Sequence, residues 1–201
     1  ILDRVFPQAK IALDFSTPLE LLIAIILSAQ TTDKLVNKVT EALFKKYKGA
    51  DDYAKAGLDA LQKDISSVNF FRNKAKSIKE CCRRIQEEFD GRVPDTVEAL
   101  TTLAGVGRKT ANVVLGNGFG KNALAVDTHV KRVSLRLGLT KNEDPDEIEK
   151  DLASIIPEML WTKTSLLFIL HGRNTCKAKN PGCVSCPVMD YCDFYKASLK
   201  Q

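Results

Sequence analysis

Cys176, Cys183, Cys186 and Cys192 stand in a C-x6-C-x2-C-x5-C array near the end of the chain. Four thiols this close in sequence read as a metal centre, because a bound ion or cluster both neutralises the thiolates and orders the segment that carries them. Soft sulfur donors admit either zinc or an iron-sulfur cluster, and two C-x2-C pairs, the commoner zinc spacing, are not present. After Arg173 the large aliphatic residues almost disappear and Cys, Lys, Pro and Gly take over, so something other than an apolar core must hold this segment. The loop between the first two cysteines carries Lys177 and Lys179, and ordering it would present a basic surface.

A second chemical feature lies upstream, in Leu103-Ala-Gly-Val-Gly-Arg-Lys-Thr-Ala111. An apolar helix end meets a Gly-Val-Gly turn and a new apolar-patterned helix follows at once, which is a helix-hairpin-helix signature. Gly105 and Gly107 permit turn conformations closed to other residues and let backbone amides approach a partner. The positive end of the following helix, with Arg108 beside it, suits a DNA phosphate. Lys109 falls in the first turn of that helix, where the dipole opposes its ammonium and favours the nucleophilic amine. Asp127, in Ala125-Val-Asp-Thr-His-Val130, opens the next helical pattern after the Gly116-Asn-Gly-Phe-Gly120 turn. On pattern alone Asp127 is a helix cap and Lys109 one more phosphate-binding lysine.

The elements that must position these residues are helices. Leu19, Leu22, Ile23, Ile26 and Leu27 form the stripe of a packed helix that Thr17 caps and Pro18 starts, with Glu20 placed to reach back to the cap amide. Asp144-Pro145-Asp146-Glu147 opens another, with Ile148, Leu152 and Ile155 on one face. Leu58, Leu61 and Ile65 mark a third. Ala75, Ile78, Cys82, Ile85 and Phe89 mark a fourth, ended by Gly91 and Pro94. Strand-like alternation is essentially absent, and no repeat, low-complexity tract or long linker interrupts the chain. The fold class is all-α.

The 201 residues, 44% of them hydrophobic, supply a sizeable core without a disulfide framework, which suggests a reducing compartment. No run approaches the roughly 18 apolar residues of a membrane span. Beginning at Ile1 without an initiator Met, the chain reads as a trimmed or processed product. A net charge of +5 is compatible with a polyanion, and the position of the charge says more: Arg108, Lys109, Lys121, Lys131, Arg132, Arg136, Arg173, Lys177 and Lys179 accompany the two motifs. Salt should therefore weaken binding steeply. Cys81 and Cys82 lie well away from the array and read as buried small hydrophobes, and His129 and His171 are too scattered for a second metal site.

Taken together, Leu27-Ser-Ala-Gln-Thr-Thr-Asp33, the hairpin string, Val126-Asp-Thr-His129, His171-Gly-Arg173 and the cysteine array resemble the endonuclease III family of DNA glycosylases with AP lyase activity, over almost the entire length. The resemblance implies two helical domains with a DNA cleft between them: a six-helix domain over 11–121, and an iron-sulfur domain uniting 1–10 with 122–201. It implies a 4Fe-4S cluster on the four cysteines, Lys109 and Asp127 as the catalytic pair, and Gln30 filling the hole left by a flipped base. The partner would be duplex DNA with damaged bases or abasic sites, bound by a monomer. The setting would be the cytoplasm or nucleoid in a bacterium or archaeon, or the nucleus or mitochondrion in a eukaryote. Phe70 aligns with an inserted leucine, but Asn69 stands where a glycine is usual, and Phe70 or Phe71 serves equally as a core plug. Ala104 replaces a common proline, which leaves the hairpin amides in place. The related mismatch adenine glycosylases generally lack the lysine, and a binding module without catalysis would use it on a phosphate.

Overall fold

The computed structural model describes residues 1–199, and every regular element among them is helical. In chain order these are α1 (Leu2–Val5), α2 (Pro18–Ser28), α3 (Asp33–Lys46), α4 (Ala50–Lys55), α5 (Leu58–Asp64), α6 (Phe71–Glu88), α7 (Val97–Thr101), α8 (Arg108–Val113), α9 (Thr128–Leu137), α10 (Pro145–Ile155), α11 (Trp161–Asn174) and α12 (Asp193–Ser198). The helices pack as two compact units. Residues 12–120 form one, and residues 1–11 with the chain from Lys121 onward form the other.

The unit of residues 12–120 is built around α2. Thr17 Oγ1 accepts the Glu20 amide at 3.2 Å and Pro18 occupies the first turn, as the sequence requires. Glu20 departs from the expected box: its carboxylate accepts from the amide of Ser16 at 2.6 Å, its arm reaching one residue beyond the cap. Every residue from Leu21 to Leu27 is buried, so α2 has no solvent face and packs against α3, α6 and the π-helical turn Val114–Gly118. On α6 the apolar stripe of Ala75, Ile78, Cys82 and Ile85 faces the core, joined by Cys81. Its outer face carries the Arg83 pairs with Glu80 and Glu87 and the Arg84–Glu88 pair, exposed contacts worth little each. The helix ends where Gly91, at φ 75°, turns its amide back onto the Ile85 carbonyl.

The other unit has its own core of Leu2, Leu124, Val126, Val130, Val133, Ile148, Leu152, Phe168 and Val188. The extended segment before α9 is fastened to α11 by hydroxyls: Ser165 Oγ accepts from the Ala125 amide at 3.0 Å and Thr162 Oγ1 from the Ala123 amide at 3.2 Å. Gly172 lets α11 close on α9, since a Cβ there would stand 3.0 Å from His129. Asp144 caps α10 and Pro145 starts it. Ile148 and Leu152 are fully buried, but Ile155 is 55% exposed. The helix stops at that residue, and Ile156, after it, turns onto the core instead.

Burial pushes the Cys81 thiol up to about 12, and burial pushes Cys82 up as well, so neither offers a thiolate near neutrality. Iodoacetamide at about pH 8 should leave both unmodified in the native protein and label both in denaturant, as read by peptide mass spectrometry.

Candidate functional site

The hairpin forms as its residues require. Leu103 and Val106 are buried and anchor the turn, while Gly105, Gly107, Arg108 and Lys109 are exposed. Gly105 sits at φ 79°, and a Cβ there would also come within 3.2 Å of Ser77, so the position needs glycine on both counts. A Cβ at Gly107 would meet nothing within 4 Å, which leaves its backbone open to a large partner. Gly107 is the N-cap of α8, so Lys109 stands in the first turn with its side chain in solvent.

Asp127 is the N-cap of α9, as pattern alone indicates. Its Oδ1 accepts from the amides of His129 and Val130, both at 2.8 Å, while Oδ2 accepts from no described residue. The cap therefore fixes one oxygen and leaves the other available. The Ser165 and Thr162 hydroxyls set the segment from which Asp127 emerges.

Gln30 and Phe70 both come to the surface, which excludes the core-plug reading for Phe70. It is 60% exposed and left-handed at φ 57°, at the cap of α6, so it plugs no core; Phe71 is half-buried, with the Arg72 guanidinium 4.9 Å from its ring centre. Gln30 is likewise left-handed, at φ 54°. Each such conformation costs a non-glycine residue about 1 kcal/mol or more. Sequence pattern gives no warning of what holds them. The Asn69 carboxamide donates to the Gln30 carbonyl at 2.5 Å. The buried Lys74 ammonium donates to the carbonyls of Leu27 and Ala29 at 2.7 and 2.6 Å and to Thr31 Oγ1 at 3.0 Å. Burial lowers the pKa of Lys74.

Cys176, Cys183, Cys186 and Cys192 line one partly open pocket, walled by Val133, Leu137, Val188, Met189 and other largely apolar side chains. All six cysteines are free thiols. No three His, Cys, Asp or Glu side chains among the described residues converge as ligands of a single ion, so the four thiols surround a space rather than a point. Burial pushes Cys183 and Cys186 up, and the neighbouring cysteines add to the shift, so the thiolates of these two need a cationic group beside them. The donor set and the cavity fit a polynuclear cluster. Lys177 and Lys179 are exposed on the adjoining loop.

Three of the arginines and lysines beside the motifs are engaged by backbone carbonyls instead of standing free. Arg136 donates to the carbonyls of Lys177 and Ala178 at 2.7 and 3.2 Å and approaches Cys176 Sγ at 3.4 Å, and its guanidinium lies 4.7 Å from the Phe194 ring centre. Arg132 bonds the carbonyls of Cys176 and Gly172, both at 3.0 Å. Lys131 bonds the Glu143 carbonyl at 2.5 Å. Loop carbonyls that lack helical partners draw these cations in, and such long-range pairing leaves no periodic trace in a sequence.

Residues 23–158 match the HhH-GPD superfamily of base excision DNA repair proteins, so fold and hairpin together define that class. The chain is 51% identical over 199 residues to endonuclease III of Synechocystis sp., covering 98% of this chain and 91% of that protein. It is 47% identical over 195 residues to endonuclease III of Bacillus subtilis, covering 95% and 89%. It superimposes on a trapped endonuclease III–DNA covalent intermediate with a TM-score of 0.92 and 46% identity, over 98% of this chain and 93% of that one. A thermostable thymine-DNA glycosylase follows at a TM-score of 0.89 and 25% identity, over 98% and 94%. The chain belongs to the endonuclease III family and is a DNA glycosylase with AP lyase activity.

Because the Asp127 cap depends on an acceptor and not on charge, replacing it by Asn should alter stability by only a few tenths of a kcal/mol, whereas Ala should cost about 1 kcal/mol. Urea unfolding of the two variants checks this.

Proposed function

We propose that the chain excises oxidised pyrimidines from duplex DNA and then cleaves the strand, with Lys109 as nucleophile and Asp127 as its acidic partner. The observation that carries the reading is the exposed Lys109 two residues after an open hairpin glycine, in a chain 46% identical to a protein trapped covalently on DNA. The damaged base leaves the stack and enters a pocket, and Phe70 and Gln30 occupy the opened duplex. As the bond from C1′ to the base breaks, its electron pair departs with the base, and the free Oδ2 of Asp127 stabilises the positive charge left on the sugar. The Lys109 amine, having given up its proton, bonds to C1′, and opening of the sugar ring yields an iminium. That iminium acidifies the C2′ proton; its loss expels the 3′ phosphate by β-elimination, and water then releases the lysine. The hairpin glycines, Arg108, Lys177 and Lys179 hold the flanking phosphates.

The four cysteines hold a 4Fe-4S cluster in this reading. Bound there, the cluster supplies the positive centre that four crowded thiolates need and ties both ends of the loop from Lys177 to Gly182 to one point. The apolar cavity lined by all four sulfurs and the Arg136 guanidinium beside Cys176 support it.

Two experiments test these assignments. With duplex containing thymine glycol, borohydride should trap a protein–DNA adduct that persists in Lys121→Ala, vanishes in Lys109→Ala, and forms at least about a hundredfold more slowly in Asp127→Asn, which keeps the cap. Binding without any adduct would favour a module that uses Lys109 only on a phosphate. Purified protein should contain iron and acid-labile sulfide in equal amounts, and Cys192→Ser should lose both; zinc in their place would overturn the cluster.

A further inference from the structure

Gln30, between α2 and α3, and Phe70, at the entry to α6, are both exposed, and both are left-handed although neither is glycine. Such conformations persist only where the surroundings over-determine them. Here the surroundings are two cross-links between the same pair of segments. On the inner side Lys74, whose own amide donates to the Phe70 carbonyl at 3.1 Å, holds Leu27, Ala29 and Thr31 through its buried ammonium. On the outer side the exposed Asn69 donates to the carbonyl of Gln30 itself at 2.5 Å. The inner link sets the separation of the segments, and the outer one sets the tips.

We infer that Asn69 is a positioning residue that couples Gln30 to Phe70, so that the two side chains enter the duplex as one preorganised unit. The inference rests on the reading that Gln30 and Phe70 fill the opened duplex. Two independent prongs would each lose conformational freedom on insertion, whereas prongs already joined lose less and meet the DNA in register. The link gains strength as DNA excludes water from it. Only a side chain that can donate serves, because its partner is a carbonyl oxygen. An aspartate of the same shape sets a carboxylate oxygen against that carbonyl, and a serine is too short to span the gap.

The test uses a duplex with 2-aminopurine beside a thymine glycol. Asn69→Asp should lower the single-turnover rate of base excision about tenfold and shrink the fluorescence rise that reports unstacking. Its thermal midpoint should stay close to that of the parent, since Asn69 is exposed, and Asn69→Ser should behave alike. Added to a Gln30→Ala/Phe70→Ala background, Asn69→Asp should change the rate by less than about twofold, because there is nothing left to couple. Equal loss in both backgrounds, or parental rate and fluorescence in Asn69→Asp, overturns the inference. If Gln30→Ala and Phe70→Ala are themselves without effect, the insertion reading fails instead, which the single variants reveal separately.

Discussion

A helix buried on every side must have its end satisfied inside the protein, and α2 is such a helix. From Leu21 to Leu27 every residue is buried, and the carbonyls at the end of the helix have no helical partner. The ammonium of Lys74 satisfies them, bonding the buried Leu27 carbonyl, the Ala29 carbonyl and the Thr31 hydroxyl. One ammonium has three protons, and these three acceptors use them all. Because Lys74 stands in the first turn of α6, satisfying the end of α2 also fixes how α6 begins, and thereby where Phe70 sits relative to Gln30. Core packing and the relative placement of Gln30 and Phe70 are the same constraint seen from two sides.

The other unit meets a different difficulty, a terminal segment with too little apolar surface to fold on its own. Arg132 and Arg136 on α9 reach across to the carbonyls of Gly172, Cys176, Lys177 and Ala178 and shape the loop from outside. The four thiols converge on a cavity and shape it from inside. Guanidinium groups suit this task because their fixed fork binds several carbonyls at once without depending on a nearby carboxylate. The consequence for binding is a division of labour: arginines order the basic loop, and the lysines it carries, Lys177 and Lys179, remain on the surface.

Much of this was legible in the chain because the signals are local. Caps at Thr17 and Asp144 and the stripe on α6 depend on neighbours within a turn or two, and all formed. The hairpin was legible because glycine is the residue that tolerates φ 79° beside Ser77. Errors arose where a residue's fate depended on a distant partner or on where an element stops. Ile155 matches the stripe of α10 and is exposed because the helix ends there. Arg132 and Arg136 look like surface charge until the carbonyls of a segment far along the chain are placed against them. Hydrophobicity is the same for a wedge and a plug, so the sequence leaves Phe70 open; the left-handed backbone that exposes it excludes the plug.

Asp127 shows how its role as a helix cap is compatible with the chemical role proposed for it. A carboxylate has two oxygens, and the cap engages Oδ1 alone, with two amides at 2.8 Å. Those bonds limit rotation of the group and so aim Oδ2, which an uncapped side chain would let wander through several rotamers. A catalytic carboxylate gains from being held, because a charge that need not reorganise stabilises a developing cation more effectively than a mobile one. Hydroxyls of α11 hold the preceding segment and α9 holds the following one, so the oxygen is referenced to the core of its unit through two short paths. The helix cap is thus the means by which this sequence gives a surface acid a fixed direction.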